Sequence, residues 1–452
     1  MTRPACDDLL DHFDQRPLNG RYWGSFAIIA AIAVMDFADF FFIGFILSVI
    51  GREWQLTYWQ SAAILYGGGI GSIAAALLWG IMSDRWGRRM LIVAGTCICA
   101  LSAGLIGFLP DGQWQALVAL RILVGFGLAA AATPSLALIV ESTPTRHRTT
   151  ITSLFMVFSS LGILLAATSA GLLLGAMGWR GLSFLGAAPL IPAILAYRFV
   201  PESARWLHAA GRQEEARAEI IRQIGRDIPD AVLKAAPAAP LVRLRDLYAE
   251  PRLFWQTVIL NGCSLTVVFG YYLWGPSILA DVHGATAESA ARYFMLIALS
   301  GAVGRVVVAL IAPKLGRRPC GVICALAAAA SLAAIALSAH FGSAGRHAMI
   351  ALIALTSFFC EGGLANLAPF AIEQYGARLG ARAAGLAQAA SGIGRIVGPL
   401  ILAVLAGASN IVAPAMTQAA VPPTFLVFAG CMVAVALAFW LLAKEMHGRR
   451  MD

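Results

Sequence analysis

The chain has 452 residues, 59% of them hydrophobic and only 13% charged. Soluble domains carry about 25% charged residues, so the composition excludes an ordinary soluble fold and points to the bilayer as solvent. A formal net charge of +9 would suit nucleic acid, but arginine-rich loops of a membrane protein produce the same surplus, and no nucleic-acid partner is expected.

Residues 1–22 form a polar N-terminal tail with Asp7, Asp8, Asp11 and Asp14. The apolar run that follows is too long for the core of a cleavable signal, so it is expected to stay as a membrane helix. A hydrocarbon core of about 30 Å takes about 20 apolar residues per helix. Twelve runs meet that need: 23–50, 58–82, 90–109, 113–139, 149–174, 180–200, 253–280, 291–313, 319–341, 347–372, 383–408 and 422–443. Between the sixth and seventh lies a polar linker, 201–252. There Gly211-Arg-Gln-Glu-Glu-Ala-Arg-Ala-Glu219 predicts a short amphipathic helix ahead of a loose Ala-Pro run at 235–240. The expected organisation is a tail at 1–22, a six-helix bundle at 23–200, the linker at 201–252, a second six-helix bundle at 253–443 and a tail at 444–452. The fold class is all-α, a membrane protein of twelve transmembrane helices. Of the eight cysteines, seven fall in or beside apolar runs and none has metal-ligand spacing with a histidine, so they read as packing residues. No metal or cofactor is expected. The seven histidines lie in tails, in loops or near helix ends, too shallow for a proton carrier.

Between the second and third runs stands Gly80-Ile-Met-Ser-Asp84-Arg85-Trp-Gly87-Arg88-Arg89. Between the eighth and ninth stands Ala309-Leu-Ile-Ala-Pro313-Lys314-Leu-Gly316-Arg317-Arg318. The spacing is the same, with Ala for the first Gly and Pro for the acid. A basic, glycine-containing turn has been used once in each half, so the two bundles are internal repeats. Loops on the side of the N-terminus hold most of the Lys and Arg, whereas the opposite side has only Arg52, Arg180, Arg292 and Arg346. Both termini and the linker are therefore expected in the cytoplasm.

Six charges lie within the membrane, away from the ends of the runs: Asp36, Asp39 and Glu361 against Arg121, Arg305 and Arg395. Such residues are costly in hydrocarbon, so they face a cavity and pair, either as a proton and substrate pathway or as structural ion pairs. Asp36 and Asp39 share a helix face and lie about 20–24 Å from the cytoplasmic end at 1.5 Å per residue. Arg121 is roughly 12 Å from the outer end of the fourth run, so an Asp–Arg121 pair is feasible, with Asp39 the closer in depth. Glu361 and Arg395 lie near the midplane, and Arg305 nearer the cytoplasm. A carboxylate releases its proton and Arg does not, so an Asp that alternates between Arg-paired and unpaired states can load and unload a proton. Arg also binds carboxylates through two parallel hydrogen bonds. The cluster Gly67-Gly68-Gly69-Ile-Gly71 in the second run lets helices approach closely.

The first arginine-rich turn closely resembles the loop between helices 2 and 3 of major facilitator superfamily transporters, and the resemblance runs over nearly the whole chain. Arg121-Ile-Leu-Val-Gly125-Phe-Gly127 is similar to the R-x-x-x-G-x-G pattern of proton-coupled members. Glu141-Ser-Thr-Pro144-Thr-Arg146-His-Arg148 and Pro201-Glu202-Ser203-Ala-Arg205-Trp206-Leu resemble signatures of the sugar-porter-like branch, the second with Ala in place of Pro. Gly392-Ile-Gly394-Arg395-Ile-Val-Gly398-Pro399 resembles the G-x-G-R-x-x-G-P of aromatic-acid:proton symporters and niacin transporters. The D-G-x-D of their first helix is matched by Asp36-Phe-Ala-Asp39, which keeps both acids and loses the glycine.

The resemblance implies two pseudo-symmetric six-helix halves and transport by alternating access. The expected function is proton-coupled uptake of a small organic anion, an aromatic or heteroaromatic carboxylate, by a monomer in the inner membrane. Asp36, Asp39, Arg121 and Glu361 are the expected proton-coupling residues. Arg395 and Arg305 would hold the anion, with Tyr271, Tyr272 and Phe155 offering rings to it. The gating set is Asp84, Arg85, Arg88 and Arg89 with Glu141, Arg148, Arg317 and Arg318. Within it Asp84 is expected at the N-terminus of the eleventh helix and Glu141 on a latch arginine. The alternatives are a sugar or other metabolite symporter, a proton-driven exporter and a solute sensor that does not transport. The paired glutamines of sugar porters are missing from the seventh run, which offers Gln256, Asn261 and Ser264. Neither a hydrolytic triad nor a P-loop appears, which counts against an enzyme or an ATP-driven pump.

Overall fold

In hydrocarbon every backbone N–H and C=O must be paired inside the protein, and a helix does this within one segment. The computed structural model of the protein describes residues 9–224, 248, 250–338 and 345–443. Its regular elements are helices, and among these residues sheet-type pairing is confined to one isolated bridge between Thr57 and Ile411. A short helix, α1 (Leu9–Gln15), precedes the first long rod, α2 (Gly20–Glu53), whose first turn is capped by the Asn19 side chain accepting the Tyr22 N–H at 2.9 Å. α3 (Tyr58–Trp86) starts on a reciprocal cap in which Thr57 and Gln60 each accept the other's backbone N–H. α4 (Arg88–Ile106), α5 (Trp114–Ser142) and α6 (Arg148–Leu185) follow.

α6 contains two rods, broken at Gly178 where φ is 66° and ψ −175°, a conformation that a residue with a Cβ adopts only with strain. The second of them is broken again at 186–189, where Pro189 has no N–H to give the preceding turn, and it resumes as α7 (Leu190–Phe199). The linker supplies α8 (Ala204–Ala209) and the amphipathic α9 (Gln213–Ile224). The second half comprises α10 (Pro251–His283), α11 (Ala287–Leu315), α12 (Arg317–Ser338), α13 (Gly345–Leu405) and α14 (Pro414–Leu437), which ends in a π-turn at Ala438–Leu442. Ten stretches of the described residues are long and apolar enough to cross a bilayer. One of them, Thr150–Phe199, is the bent pair of rods, and α3 adds another, which accounts for twelve crossings. The Ala-Pro run at 235–240 and the C-terminal tail 444–452 lie outside the described residues.

Two boundaries differ from the sequence expectation. A loop was expected at 373–382, yet the backbone is helical throughout α13, which carries two separate apolar spans, His347–Ala365 and Gly385–Leu405. These spans run in opposite directions. Ser300 and Arg305 of α11 meet Ala354 and Glu361 in order, so the first span is parallel to α11. Gly69 and Ile73 of α3 meet Arg395 and Gly392 in reverse order, so the second is antiparallel to α3. α3 and α11 both begin on one face, beside the joined ends of α2 and α10 at Arg52 and Asp281. α14 begins at Pro414 rather than at 422 and passes through Pro422 and Pro423. Burial of Thr417, Ala420 and Val421 against the bundle keeps the turns ahead of Pro422 helical.

The face where α2 and α10 end is called the far face, and the face carrying α1, α8 and α9 the linker face. Near the far face one core spans both halves: Phe40, Phe41 and Phe45 of α2 cluster with Phe269, Tyr272 and Leu273 of α10 and Phe294 of α11. Near the linker face the cores are separate. Tyr22, Phe26, Ile29, Ile151 and Phe155 form one in the first half, while Leu253, Tyr375 and Ala383 form another in the second. The halves are thus pressed together on the far side and divided on the linker side.

Within each half small residues set the helix spacing. At Gly71 of α3 an added Cβ would lie 1.9 Å from the Ile122 carbonyl oxygen of α5, whereas at Gly24 it would meet nothing within 4 Å. Gly71→Ala is therefore expected to lower the thermal midpoint of the detergent-solubilised protein, at an overpacking cost of about 1–3 kcal/mol. Gly24→Ala should leave it unchanged. Equal midpoints for the two variants would refute close α3–α5 packing.

Candidate functional site

The charges of the first half meet where α2, α4 and α5 pack closely. Asp36 and Asp39 are 1% and 2% exposed, and Arg121 is 1% exposed. An Asp–Arg121 ion pair was feasible from depth, but the guanidinium turns to the backbone. Arg121 Nη1 donates to the Asp39 carbonyl at 3.2 Å, and Nη2 to the Phe40 carbonyl at 2.8 Å. A helical carbonyl has a second lone pair to offer beyond its in-helix bond, so α2 stays intact. Neither carboxylate is within ion-pair distance of a cation among the described residues. Asp36 Oδ2 accepts the Thr96 hydroxyl at 3.2 Å, and Asp36 Oδ1 and Asp39 Oδ2 have no protein partner.

In the second half Arg305 of α11 bonds Glu361 of α13, both largely buried. Gly301 lies beneath Glu361, Ser357 and Tyr272, and the Tyr272 and Ser357 hydroxyls are 2.6 Å apart. The charge of Arg305 is thus already balanced inside the protein. Arg395 differs. Among the described residues no acid is within ion-pair distance of it, and its buried Nε has no hydrogen-bond partner. Its guanidinium carbon lies 5.3 Å from the centroid of Phe269 and 6.0 Å from that of Phe40, and Arg121 stands 5.3 Å from the same Phe40 ring. Arg395 therefore sits on the seam between the halves, against aromatic faces that attract a cation.

The expected ring residues separate. Tyr271 and Tyr272 belong to the shared core, with Tyr272 5.6 Å from Phe41 and 4.4 Å from Tyr271. Phe155 is elsewhere. It packs edge-on to Phe26 at 6.4 Å in the linker-side core of the first half, away from Arg395. Phe269, which does flank Arg395, carried no sequence signal beyond being one aromatic among many.

On the far face the halves are tied by residues that sequence reasoning passed over. Arg52 of α2 bonds Asp281 of α10 at 2.5 Å, Thr417 of α14 donates to the same carboxylate at 3.1 Å, and the Tyr58 hydroxyl of α3 lies 2.7 Å from Thr417. The Tyr58 N–H donates to the Asn410 carbonyl at 2.9 Å, and within the second half Trp274 Nε1 donates to the Pro399 carbonyl at 2.8 Å. Asp281 lies one residue past the end assigned to the seventh run, so its burial was not visible in the sequence.

On the linker face the two arginine-rich turns keep the same backbone and differ in their contacts. Gly87 and Gly316 have φ of 89° and 94°, values that favour glycine. In the first half Glu202 accepts the Arg88 and Arg89 N–H groups at 2.9 and 3.2 Å, an anion at a helix N-terminus. Burial, the largest influence, holds this carboxyl above the usual carboxylate range, and the backbone donors pull the other way. Arg88 also pairs with Glu141 at 3.2 Å, while Arg89 lies 5.9 Å from the Tyr197 ring and Arg85 is exposed. Asp14 just inside the N-terminal tail joins Arg205 at 2.5 Å and Arg148 at 3.8 Å. Burial lowers the Arg16 guanidinium to about 10, and its Nη2 donates to the Ser142 carbonyl at 2.7 Å. In the second half Arg318 instead donates to the Phe439 and Trp440 carbonyls at 3.3 and 2.6 Å, anchoring the end of α14, and Arg317 occupies the first position of α12. The side chain of Asp84 lies outside the described residues.

A profile of the Major Facilitator Superfamily matches residues 29–399. The niacin transporter NiaP of Acinetobacter baylyi is 26% identical over 455 residues, covering 98% of this chain and 99% of that protein. The 4-hydroxybenzoate transporter PcaK of Pseudomonas aeruginosa is 28% identical over 323 residues, covering 68% and 70%. Among solved structures, the partially occluded inward open conformation of the xylose transporter XylE from E. coli superposes with a TM-score of 0.72 at 19% identity, covering 94% of this chain and 99% of that one.

The far-face tie has a measurable consequence. Arg52 is half exposed, so its pair with Asp281 is worth on the order of 1 kcal/mol, roughly a fivefold change in a two-state population. Asp281→Asn should lengthen the distance between spin labels at Phe108 and Met416, one in each half near the far face. An unchanged distance distribution would show that the pair does not hold the halves together.

Proposed function

The chain belongs to the major facilitator superfamily and is a transporter rather than an enzyme; from that premise we propose that it carries a small aromatic or heteroaromatic carboxylate into the cell, coupled to protons. The observation that carries this reading is Arg395. A partly buried guanidinium without an anion among the described residues is expensive, and it is kept at the seam between the halves, flanked by Phe269 and Phe40. A carboxylate would complete its charge through two parallel hydrogen bonds, and the rings beside it suit a flat solute. The names of two relatives, a niacin transporter and a 4-hydroxybenzoate transporter, denote solutes of that chemistry.

The basic linker face is read as cytoplasmic by the excess of Lys and Arg on that side, in the inner membrane. On that assignment the separate linker-side cores and the joined far-side core describe a transporter closed to the outside. Transport then alternates by rocking the half built on α2–α7 against the half built on α10–α14. The unpaired carboxylate of Asp39, one residue from the Phe40 carbonyl that holds Arg121, is the favoured proton carrier. The Arg305–Glu361 pair is the second candidate.

Three measurements test the reading. A thermal-shift screen of benzoate, nicotinate, xylose and simple amines on the purified protein should give its largest stabilisation with an aromatic carboxylate, because a ligand bound only by the folded state raises the midpoint. A sugar or amine at the top of that ranking would overturn the substrate class. Arg395→Lys, which keeps the charge but loses the planar fork, should weaken carboxylate binding by about tenfold, or 1.4 kcal/mol; unchanged affinity would remove Arg395 from the site. Asp39→Asn imitates the protonated acid. In proteoliposomes it should exchange solute across the membrane and fail to concentrate it along a proton gradient. If Asp39→Asn still accumulates solute in a proton-dependent way, the carrier is another acid.

A further inference from the structure

Asp39 and Arg121 make no direct ion pair, yet they line one small pocket. A cavity of about 10 Å³ is lined by both residues, by Ser183 of α6, by Gly186 just past its end and by Ala103 and Ile106 at the end of α4. That volume is about one water-sized sphere. Two side-chain atoms of the lining residues are buried without a protein partner, Asp39 Oδ2 and Arg121 Nε. One is an acceptor and the other a donor. The Ser183 hydroxyl donates to the Trp179 carbonyl at 2.9 Å, which leaves its oxygen lone pairs to accept. A water that takes the Arg121 N–H and gives its own hydrogens to Asp39 and Ser183 makes three hydrogen bonds, the usual number for a buried water.

The break after α6 preserves the space. A Cβ at Gly186 would lie 2.8 Å from Ala103 Cβ and 3.3 Å from Asp39 Oδ1, so a side chain there would press into the cavity. The other titratable groups that act on Asp39 are Asp36 on the same helix, Arg121 on α5 and Cys99 on α4. None of them supplies a hydrogen bond to Asp39 Oδ2.

We propose that this cavity is a binding site for a single water molecule that bridges Arg121 Nε to Asp39 Oδ2 and so links the guanidinium to the acid it does not touch. Protonation of Asp39 turns the carboxylate from acceptor to donor, reverses the hydrogen bond from the water, and is felt at Arg121 without either side chain leaving its rotamer. The site rests on the proton-coupled reading only for its role; the water itself rests on the size of the cavity and on the two unpartnered atoms of its lining residues. Ser183 and Gly186 are positioning residues here, holding the water and leaving room for it.

A structure of the wild-type protein at a resolution that shows other buried waters should have a density peak within hydrogen-bonding distance of Asp39 Oδ2, Arg121 Nε and Ser183 Oγ. Ala103→Val, which fills the cavity, should lose the peak with the helices in place. An empty cavity in the wild type, or a peak retained unchanged in Ala103→Val, overturns the proposal. If Ala103→Val does not fold, Ser183→Ala is the second variant: it removes one of three partners and should weaken or displace the peak. The functional arm uses labelled nicotinate in proteoliposomes. Ala103→Val should reduce proton-driven accumulation by on the order of tenfold and leave nicotinate counterflow within about twofold of wild type. Full accumulation in Ala103→Val beside lost accumulation in Asp39→Asn refutes the water's role while the coupling reading stands. Proton-dependent accumulation in Asp39→Asn refutes the coupling reading while the density peak still decides the water. If the wild type carries neither nicotinate nor benzoate, the substrate reading falls and the peak again decides.

Discussion

Arg121 gives two of its donors to the backbone carbonyls of Asp39 and Phe40, and much else in the protein follows from that choice. A guanidinium in hydrocarbon needs acceptors, and main-chain carbonyls supply them without neutralising its charge. The carboxylates of Asp36 and Asp39 are thereby left without a cation. Had Arg121 closed a direct bridge to one of them, breaking it would cost several kcal/mol. Bonding to the main chain holds α5 to α2 while the acids stay available. Phe40 extends the arrangement across the seam, since its carbonyl binds Arg121 and its ring also faces Arg395 of the other half. Arg121 of the first half and Arg395 of the second are thus separated by one aromatic ring.

The two halves are related in backbone and unequal in use. Both arginine-rich turns place a glycine at positive φ between two rods. In the first half the turn is capped by Glu202 and tied to Glu141, so it is joined to the linker helices. In the second half Arg318 reaches the carbonyls at the end of α14. The intramembrane charges show the same inequality. The second half closes its own Arg305–Glu361 pair, while the first keeps its acids apart from Arg121. Repetition supplied a scaffold of matching rods, and the differences between copies assign the chemistry.

Closure on one face and division on the other is what alternating access requires of a single state. The shared core near the far face is large and aromatic, whereas the tie at its rim is polar and rests on the single carboxylate of Asp281. Apolar contact is non-directional and tolerates small sliding, so the polar tie specifies register and the aromatic core supplies adhesion. The break in the rod at 186–189 lies beside the water-sized cavity, through Gly186.

Length, apolar runs and the paired arginine-rich turns were enough to read an all-α membrane chain in two related halves, because bilayer thickness imposes a one-dimensional code that a sequence displays directly. The buried charges were legible for the same reason, since each stands out against an apolar background. Which of them meet was not. Asp36 and Asp39 share a face of one helix at a depth that suits Arg121, but turning a helix by one residue swings a side chain by about 100°, and in the packed structure, with Gly67 against Arg121 Cβ and Gly68 against the Phe40 ring, the guanidinium meets carbonyls and not carboxylates. The same holds for Phe155, which faces Phe26 instead of the seam, and for Asp281, whose burial depends on α2 and α14 arriving beside it. The early start of α14 ahead of Pro422 goes with burial of Thr417, Ala420 and Val421 against the bundle. Sequence determined which segments enter the membrane and what charges they carry, because transfer into hydrocarbon is a property of each segment alone; tertiary structure decided which charges are paired, because that depends on the mutual rotation of rods distant in the chain.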